Sequence, residues 1–477
     1  MRRQLLAAAA LLCLPAVAAA GVRPRYGGEL RVLLPAAPGE LDPACASAPA
    51  DLAAVRAAHA TLLDLDERGA LRPALLDALP EAEDGGRAWR LRLAPALRFH
   101  DGQPMGAADV AASLARLAGP GSAQAWLAAP IEGAAAVREG RARLLAGVQV
   151  LSDRELRIVL SYPFPGFAHA LAALPTAIVK SGPGGVLVGA GPFRPASSAE
   201  AGLRLAPFDG FHGGRPFADA LLLASADARG AARALASGAA EVVLRPEPLT
   251  GRPGLETGRL LVVMALVSRR LGPATEPTRA VLAALDRSEL TRFVRAPSTP
   301  LSALLPPALL TAASRVPSPR QAGAPAARLK LLLPDGADAP RAAAARMQVQ
   351  LYDRGVRGAL ESAPAVAFAA RLASGDFDAA LVPVWLVSPV PALALAQLAA
   401  AAGGPARGAR ALAQAASADA ATLPAVAARL EAELIAVPLY AAGLRAATRD
   451  GVEGLRVRGD GTLELGDAWL MPDRGGP

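Results

Sequence analysis

From Trp89 to Leu117 the chain WRLRLAPALRFHDGQPMGAADVAASLARL dictates three local structures in succession, and this constrains the fold more than any other stretch. Trp89, Leu91 and Leu93 alternate with Arg90 and Arg92, the period-two pattern of a strand with one buried face. His100-Asp101-Gly102 follows as a turn, in which Gly102 can take a positive φ closed to branched residues. From Ala107 the spacing becomes helical, with Val110, Leu114 and Leu117 on one stripe and Asp109 near the positive end of the helix dipole. Gly119-Pro120 stops the helix. A strand, turn and helix of this kind occur in many folds, so the pattern alone does not name a function.

The N-terminus predicts export. Met1-Arg2-Arg3 is basic, Leu5 to Val17 is an apolar core of signal-peptide length, and Ala18-Ala19-Ala20 before Gly21 satisfies the small-residue cleavage rule. Cleavage near Ala20-Gly21 and delivery to the periplasm are expected. Cys13 lies inside the apolar core, behind Leu12 rather than Gly or Ala, so lipid attachment is not indicated. The longest later apolar run, Pro391 to Ala402, is too short to span a bilayer and is interrupted by Gln397.

A chain of 477 residues, at about 150 residues per domain, has room for two or three domains and an ample core. After cleavage Cys45 has no partner for an intramolecular disulfide, so stability must come from packing. The formal charge of +8 rests on arginine, since Lys180 and Lys330 are the only lysines. The arginines are scattered and not gathered into a stripe with aromatics, which argues against nucleic acid. No metal or cofactor is implied, because His59, His100, His169 and His212 have no pair at metal-ligand spacing and no Cys-x-x-Cys exists. There is no Gly-x-Ser-x-Gly elbow. The pairs Asp376/Asp378 and Asp101/Asp109 read as turn and cap chemistry, so an enzyme is not expected.

Further elements are legible from pattern. Tyr26 to Leu34 reads as a strand, Asp51 to Leu63 as a helix with Leu52, Val55 and His59 inward, and Val148 to Leu160 as a hairpin around Ser152-Asp153-Arg154. Gly182 to Gly191 is glycine-rich but lacks the Gly-Lys-Ser/Thr ending of a phosphate loop. Pro297 to Pro325 reads as a surface loop region.

Several of these segments carry a resemblance. Phe99-His100-Asp101-Gly102 ahead of Ala107-Ala108-Asp109-Val110, Glu40-Leu41-Asp42-Pro43 and Gly189-Ala190-Gly191-Pro192-Phe193 resemble motifs of the family 5 extracytoplasmic solute-binding proteins, the peptide and oligopeptide receptors of ABC importers. Collinear with them are Ala234 to Gly238, a helix from Thr278 to Phe293, Ala303 to Pro307, Arg371 to Leu381, a strand ending in Val437-Pro438-Leu439-Tyr440, and Val452 to Leu455. Phe211-His212 replaces the family's Tyr-Trp pair in the turn Phe208 to Pro216.

The resemblance implies a type II periplasmic-binding-protein fold, with two α/β lobes facing each other across a cleft and an extra domain inserted in the first. It places the first lobe at residues 21–60, 185–265 and 435–477, the insert at 61–184, and the second lobe at 266–434. It also implies a monomer whose cleft closes on a peptide or other small organic solute and presents it to an ABC permease and ATPase complex. The other reading is a member uncoupled from transport, serving as a ligand sensor or periplasmic chaperone. By resemblance the cleft residues are Glu40, Leu41 and Asp42 in the loop after the first strand, Trp385, Leu386 and Ser388 after a later strand, and Tyr440. Ser388 stands near where peptide-binding relatives carry the Asp that pairs with the α-amino group. A serine cannot supply that charge-assisted contact, which points to a less charged or more hydrophobic ligand.

Overall fold

The computed structural model describes residues 23–199, 202–246, 254–258, 260–294, 296–309, 325–336 and 338–471. The segment expected to be a signal peptide and most of the Pro297 to Pro325 segment expected to be a loop lie outside the described residues.

Strand Glu29–Leu34 alternates as its sequence requires, with Leu30, Val32 and Leu34 fully buried. It pairs in parallel with Ala220–Ser225 and Val242–Arg245 at the centre of a seven-stranded sheet. Phe193–Ala199 and Gly202–Pro207 extend that sheet on one side, Arg445–Thr448 and Gly254–Glu256 on the other. The second sheet has six strands, in the order Ser298–Pro300, Ala436–Ala442, Leu261–Val267, Ala379–Trp385, Arg328–Pro334 and Arg357–Ala363. Leu261–Val267 is an unbroken apolar run, LVVMALV, because it is covered on both faces.

The chain therefore crosses between the sheets twice, from Glu256 to Leu261 and back from Ala442 to Arg445. The boundaries expected at 265/266 and 434/435 shift accordingly. Leu261 pairs with both Trp385 and Ala442, which assigns both crossing strands to the second sheet.

Between the halves of the first lobe lies a smaller unit with its own sheet, Glu81–Glu83, Ala88–Arg92, Glu155–Val159 and Val148–Ser152. Helix Ala107–Ala118 buries Val110, Leu114 and Leu117, and the Asp109 carboxylate accepts the Gly106 N–H at 2.8 Å, closing the helix start. The helix expected over Thr278 to Phe293 is two, Thr275–Ala283 and Arg287–Phe293. Asp286 breaks the run by capping the second, its carboxylate accepting the Glu289 N–H at 3.0 Å.

The apolar core of the insert runs on into the helices of the second lobe. Trp126 of the insert is fully buried against helix Pro405–Ala415, where Gly408 makes room. A Cβ at Gly408 would lie 2.9 Å from the Trp126 Cβ and 2.7 Å from the Ala400 Cβ, so this three-way packing excludes any side chain there. The lobes thus stand closed on one another.

Candidate functional site between the lobes

The two crossings run side by side and are stapled by one hydroxyl. Thr257, buried, donates its N–H to Leu444 O at 3.0 Å, and its Oγ1 accepts the Leu444 N–H at 3.0 Å. Against this staple lies a small cavity of about 30 Å³. Its wall is apolar, with Leu52 and Ala53 from helix Pro49–Ala58, Leu244 from the first sheet, Leu260 and Leu444 from the crossings, and Trp385 and Leu386 from the second lobe. Asp460, Gly461 and Thr462 close one end, on the hairpin that joins Arg456–Val457 to Leu463–Glu464.

The polar groups in this wall are already paired. The Asp460 carboxylate accepts the Thr462 N–H at 3.0 Å and hydroxyl at 2.6 Å on one oxygen, and Arg56 Nη2 at 2.6 Å on the other. Burial opposes the Asp460 charge, but the Arg56 guanidinium, the two Thr462 hydrogen bonds and Arg458 together outweigh it and hold the carboxyl below its usual range. Arg56 also binds Asp64 at 3.1 Å, and Arg458 bridges Asp64 and Glu464. No uncompensated charge of this network faces the cavity, so an apolar molecule, not an ion, suits the space.

The site residues expected from sequence divide into two groups. Trp385 and Leu386 line the cavity, and the half-buried Trp385 packs against the apolar cluster shared by the insert and the second lobe, the core of the second sheet and the core of the first lobe. The loop at Glu40, Leu41 and Asp42 is absorbed in local structure. Glu40 Oε1 accepts the Asp42 N–H at 2.7 Å, Asp42 Oδ1 accepts the Ala44 N–H at 2.9 Å, and the other Asp42 oxygen pairs with Arg116 of the insert. Ser388 is buried, and its Oγ accepts the Val390 N–H at 3.2 Å at the start of helix Pro391–Gly403. Tyr440, expected to reach the cleft from the first lobe, lies on the second sheet fully buried in its core, where burial pushes its phenol up.

A second constellation joins the insert to the first lobe. His59 and His100 flank Gly189 to Gly191: His100 Nε2 lies 3.0 Å from Gly191 O, and His59 Nε2 lies 3.0 Å from Leu41 O. A Cβ on Gly189 would fall 2.2 Å from Ala58 O and one on Gly191 2.5 Å from Ala58 C, which is why both positions need glycine. Burial, reinforced by His100, lowers His59 to about 4, so the imidazole is neutral at neutral pH.

Thr257, Asp460 and Thr462 escaped sequence reasoning. For Asp460-Gly461-Thr462 the turn signal was available; Thr257 had none, since its partner Leu444 is remote in the chain. Among the described residues no group of three or more His, Cys, Asp or Glu could hold a metal ion, and no helix is long and apolar enough to cross a membrane.

Residues 70–405 match the family described as bacterial extracellular solute-binding proteins, family 5 Middle. The probable deoxycholate-binding periplasmic protein YgiS of Escherichia coli K12 is 33% identical over 140 residues, which covers 28% of this chain and 26% of YgiS. The murein tripeptide binding protein MppA of Escherichia coli superimposes with a TM-score of 0.80 at 19% identity, covering 93% of this chain and 98% of MppA. Haemophilus influenzae OppA in complex with the peptide RPPGFSPFR gives 0.78 at 15% identity, covering 94% of this chain and all (100%) of OppA. The unliganded open form of MppA gives 0.64 at 18% identity, over 94% of this chain and 98% of that one. These likenesses show a common fold.

Proposed function

Because this chain belongs to the bacterial extracellular solute-binding proteins of family 5, we propose that it is a periplasmic receptor for an apolar organic solute, which it hands to an ABC permease and ATPase by cleft closure. The observation that carries the ligand class is the interlobe cavity, walled by Leu52, Leu244, Leu260, Trp385, Leu386 and Leu444. Its polar atoms on Thr257, Asp460 and Thr462 are bonded within the protein.

Ser388 supports the same reading. A free peptide needs a carboxylate for its ammonium group, and at this position there is a buried hydroxyl already engaged with Val390. The partial likeness to a probable deoxycholate-binding protein is in keeping with an alicyclic or similarly apolar ligand. The cavity holds about 30 Å³ with the lobes shut, little more than one water molecule. A solute of this class would therefore be held with the lobes further apart than they stand here, in contact with both lobes, and those contacts would draw the population toward that liganded form.

The test is calorimetric titration of the mature protein with deoxycholate and, in parallel, with di- to pentapeptides, backed by thermal shift. Saturable binding and stabilisation by deoxycholate, with none by the peptides, is the expected result. Peptide binding with no response to deoxycholate would overturn the assignment of ligand class.

A further inference from the structure

Helix Pro391–Gly403, PALALAQLAAAAG, contains one polar side chain, Gln397, and that side chain is buried. Burying an amide without partners is strongly unfavourable, so its partners are informative. Gln397 Nε2 donates to Trp385 O at 2.6 Å, and Gln397 Oε1 accepts the Val387 N–H at 2.9 Å.

The geometry follows from the pleat. In an extended segment the carbonyl of one residue and the N–H two residues on point to the same side. Leu386 faces the opposite way, its N–H donating to Leu260 O at 2.9 Å in the crossing. On the Gln397 side the neighbouring strand Arg328–Pro334 meets strand Ala379–Trp385 only at Ala379 and Ala380, so that ladder ends well before Trp385. Gln397 stands where the next strand would have been, and one amide replaces a donor and an acceptor of that missing edge.

We propose that Gln397 is a positioning residue, which holds Trp385 in place as a wall of the ligand cavity before any ligand arrives. This rests on the reading of the interlobe cavity as the ligand site. The segment from Trp385 to Val387 is gripped from both sides, by the crossing at Leu260 and by Gln397, while the Trp385 ring meets three cores. A wall fixed in advance spares the ligand the ordering cost of a mobile aromatic.

The experiment uses the mature chain labelled with 5-fluorotryptophan, whose four tryptophans give separate fluorine resonances. The Trp385 line is assigned by its loss in Trp385→Phe. Gln397→Leu should shift or broaden the Trp385 line while those of Trp89, Trp126 and Trp469 stay, and should weaken deoxycholate binding at least tenfold. Gln397→Glu supplies the same donor and acceptor while its carboxyl is protonated, so relative to wild type its Trp385 line should return at low pH and depart as that carboxyl ionises.

An unmoved Trp385 line in Gln397→Leu, or movement of all four lines, would overturn the proposal. Should Gln397→Leu fail to fold, absence of the pH-dependent return in Gln397→Glu would overturn it instead. The unliganded spectra decide the positioning role by themselves. Failure of the wild-type protein to bind deoxycholate counts against the ligand reading and leaves those spectra intact.

Discussion

The insert and the second lobe both border the first lobe, yet the two junctions are built from opposite materials. At the insert, Arg56 and Arg458 of the first lobe both reach Asp64, Asp42 pairs with Arg116, and His100 meets Gly191 O at 3.0 Å. At the second lobe there are two crossings, the Thr257 staple and an apolar seam at Trp385. Parting the first junction would strand buried charges, which is severely unfavourable. Parting the second exposes mainly hydrocarbon, at about 25 cal/mol per Å². The chemistry of each seam thus predicts that the insert stays with the first lobe and that the second lobe is the part that swings.

That contrast can be broken most directly at Arg56. Arg56→Met should destabilise the protein by about 3–5 kcal/mol, because it removes the buried cation shared by Asp64 of the insert and Asp460 of the first lobe. Urea unfolding of the variant measures this, and a loss under about 1 kcal/mol would mean that the network does not fix the junction.

Acid should attack the same junction. His59 in the folded protein sits at about 4, below its ordinary 6.5, so between those values the unfolded chain binds a proton that the folded one refuses. Stability is therefore full above about pH 6.5 and falls as pH drops toward 4, by up to about 3 kcal/mol at ~1.4 kcal/mol per unit. The lowering of His100 by burial acts in the same direction. Thermal unfolding between pH 7.5 and 4.5 should show this slope, and His59→Gln should flatten it; an unchanged slope in that variant would remove His59 from the explanation.

The smallest effect sharpens the other side of the comparison. Thr257→Val deprives the buried Leu444 N–H of its acceptor, a cost of about 1–2 kcal/mol. It should also raise the radius of gyration in small-angle scattering, as the staple between the crossings is weakened and the lobes part more readily. A compact profile identical to wild type would show that the staple does not govern closure.

How much of this was legible beforehand depends on the range of the interactions. Strand Ala88–Arg92, helix Ala107–Ala118 and the hairpin Val148–Ser152 with Glu155–Val159 follow from periodicity, because each is decided by neighbours a few residues away. The Gly-Ala-Gly motif was readable as a motif, but its reason, the approach to Ala58, was not. Trp385 and Leu386 were found at the seam, whereas Ser388 and Tyr440 turned out to serve a helix start and a core.

By itself, then, the sequence determined the local elements through short-range pattern and the family membership through ordered motifs, and the α/β class came with the family. The tertiary structure decided which side chains meet at the seam. Thr257 and Leu444 are 187 residues apart, and Arg56 and Asp460 are 404 apart. Gln397, which in the linear chain merely interrupts an apolar run, gained its role only where the ladder beside Trp385 ran out. Periodicity carries no information about a partner at such distances, because the contact exists only after two sheets and an insert have packed.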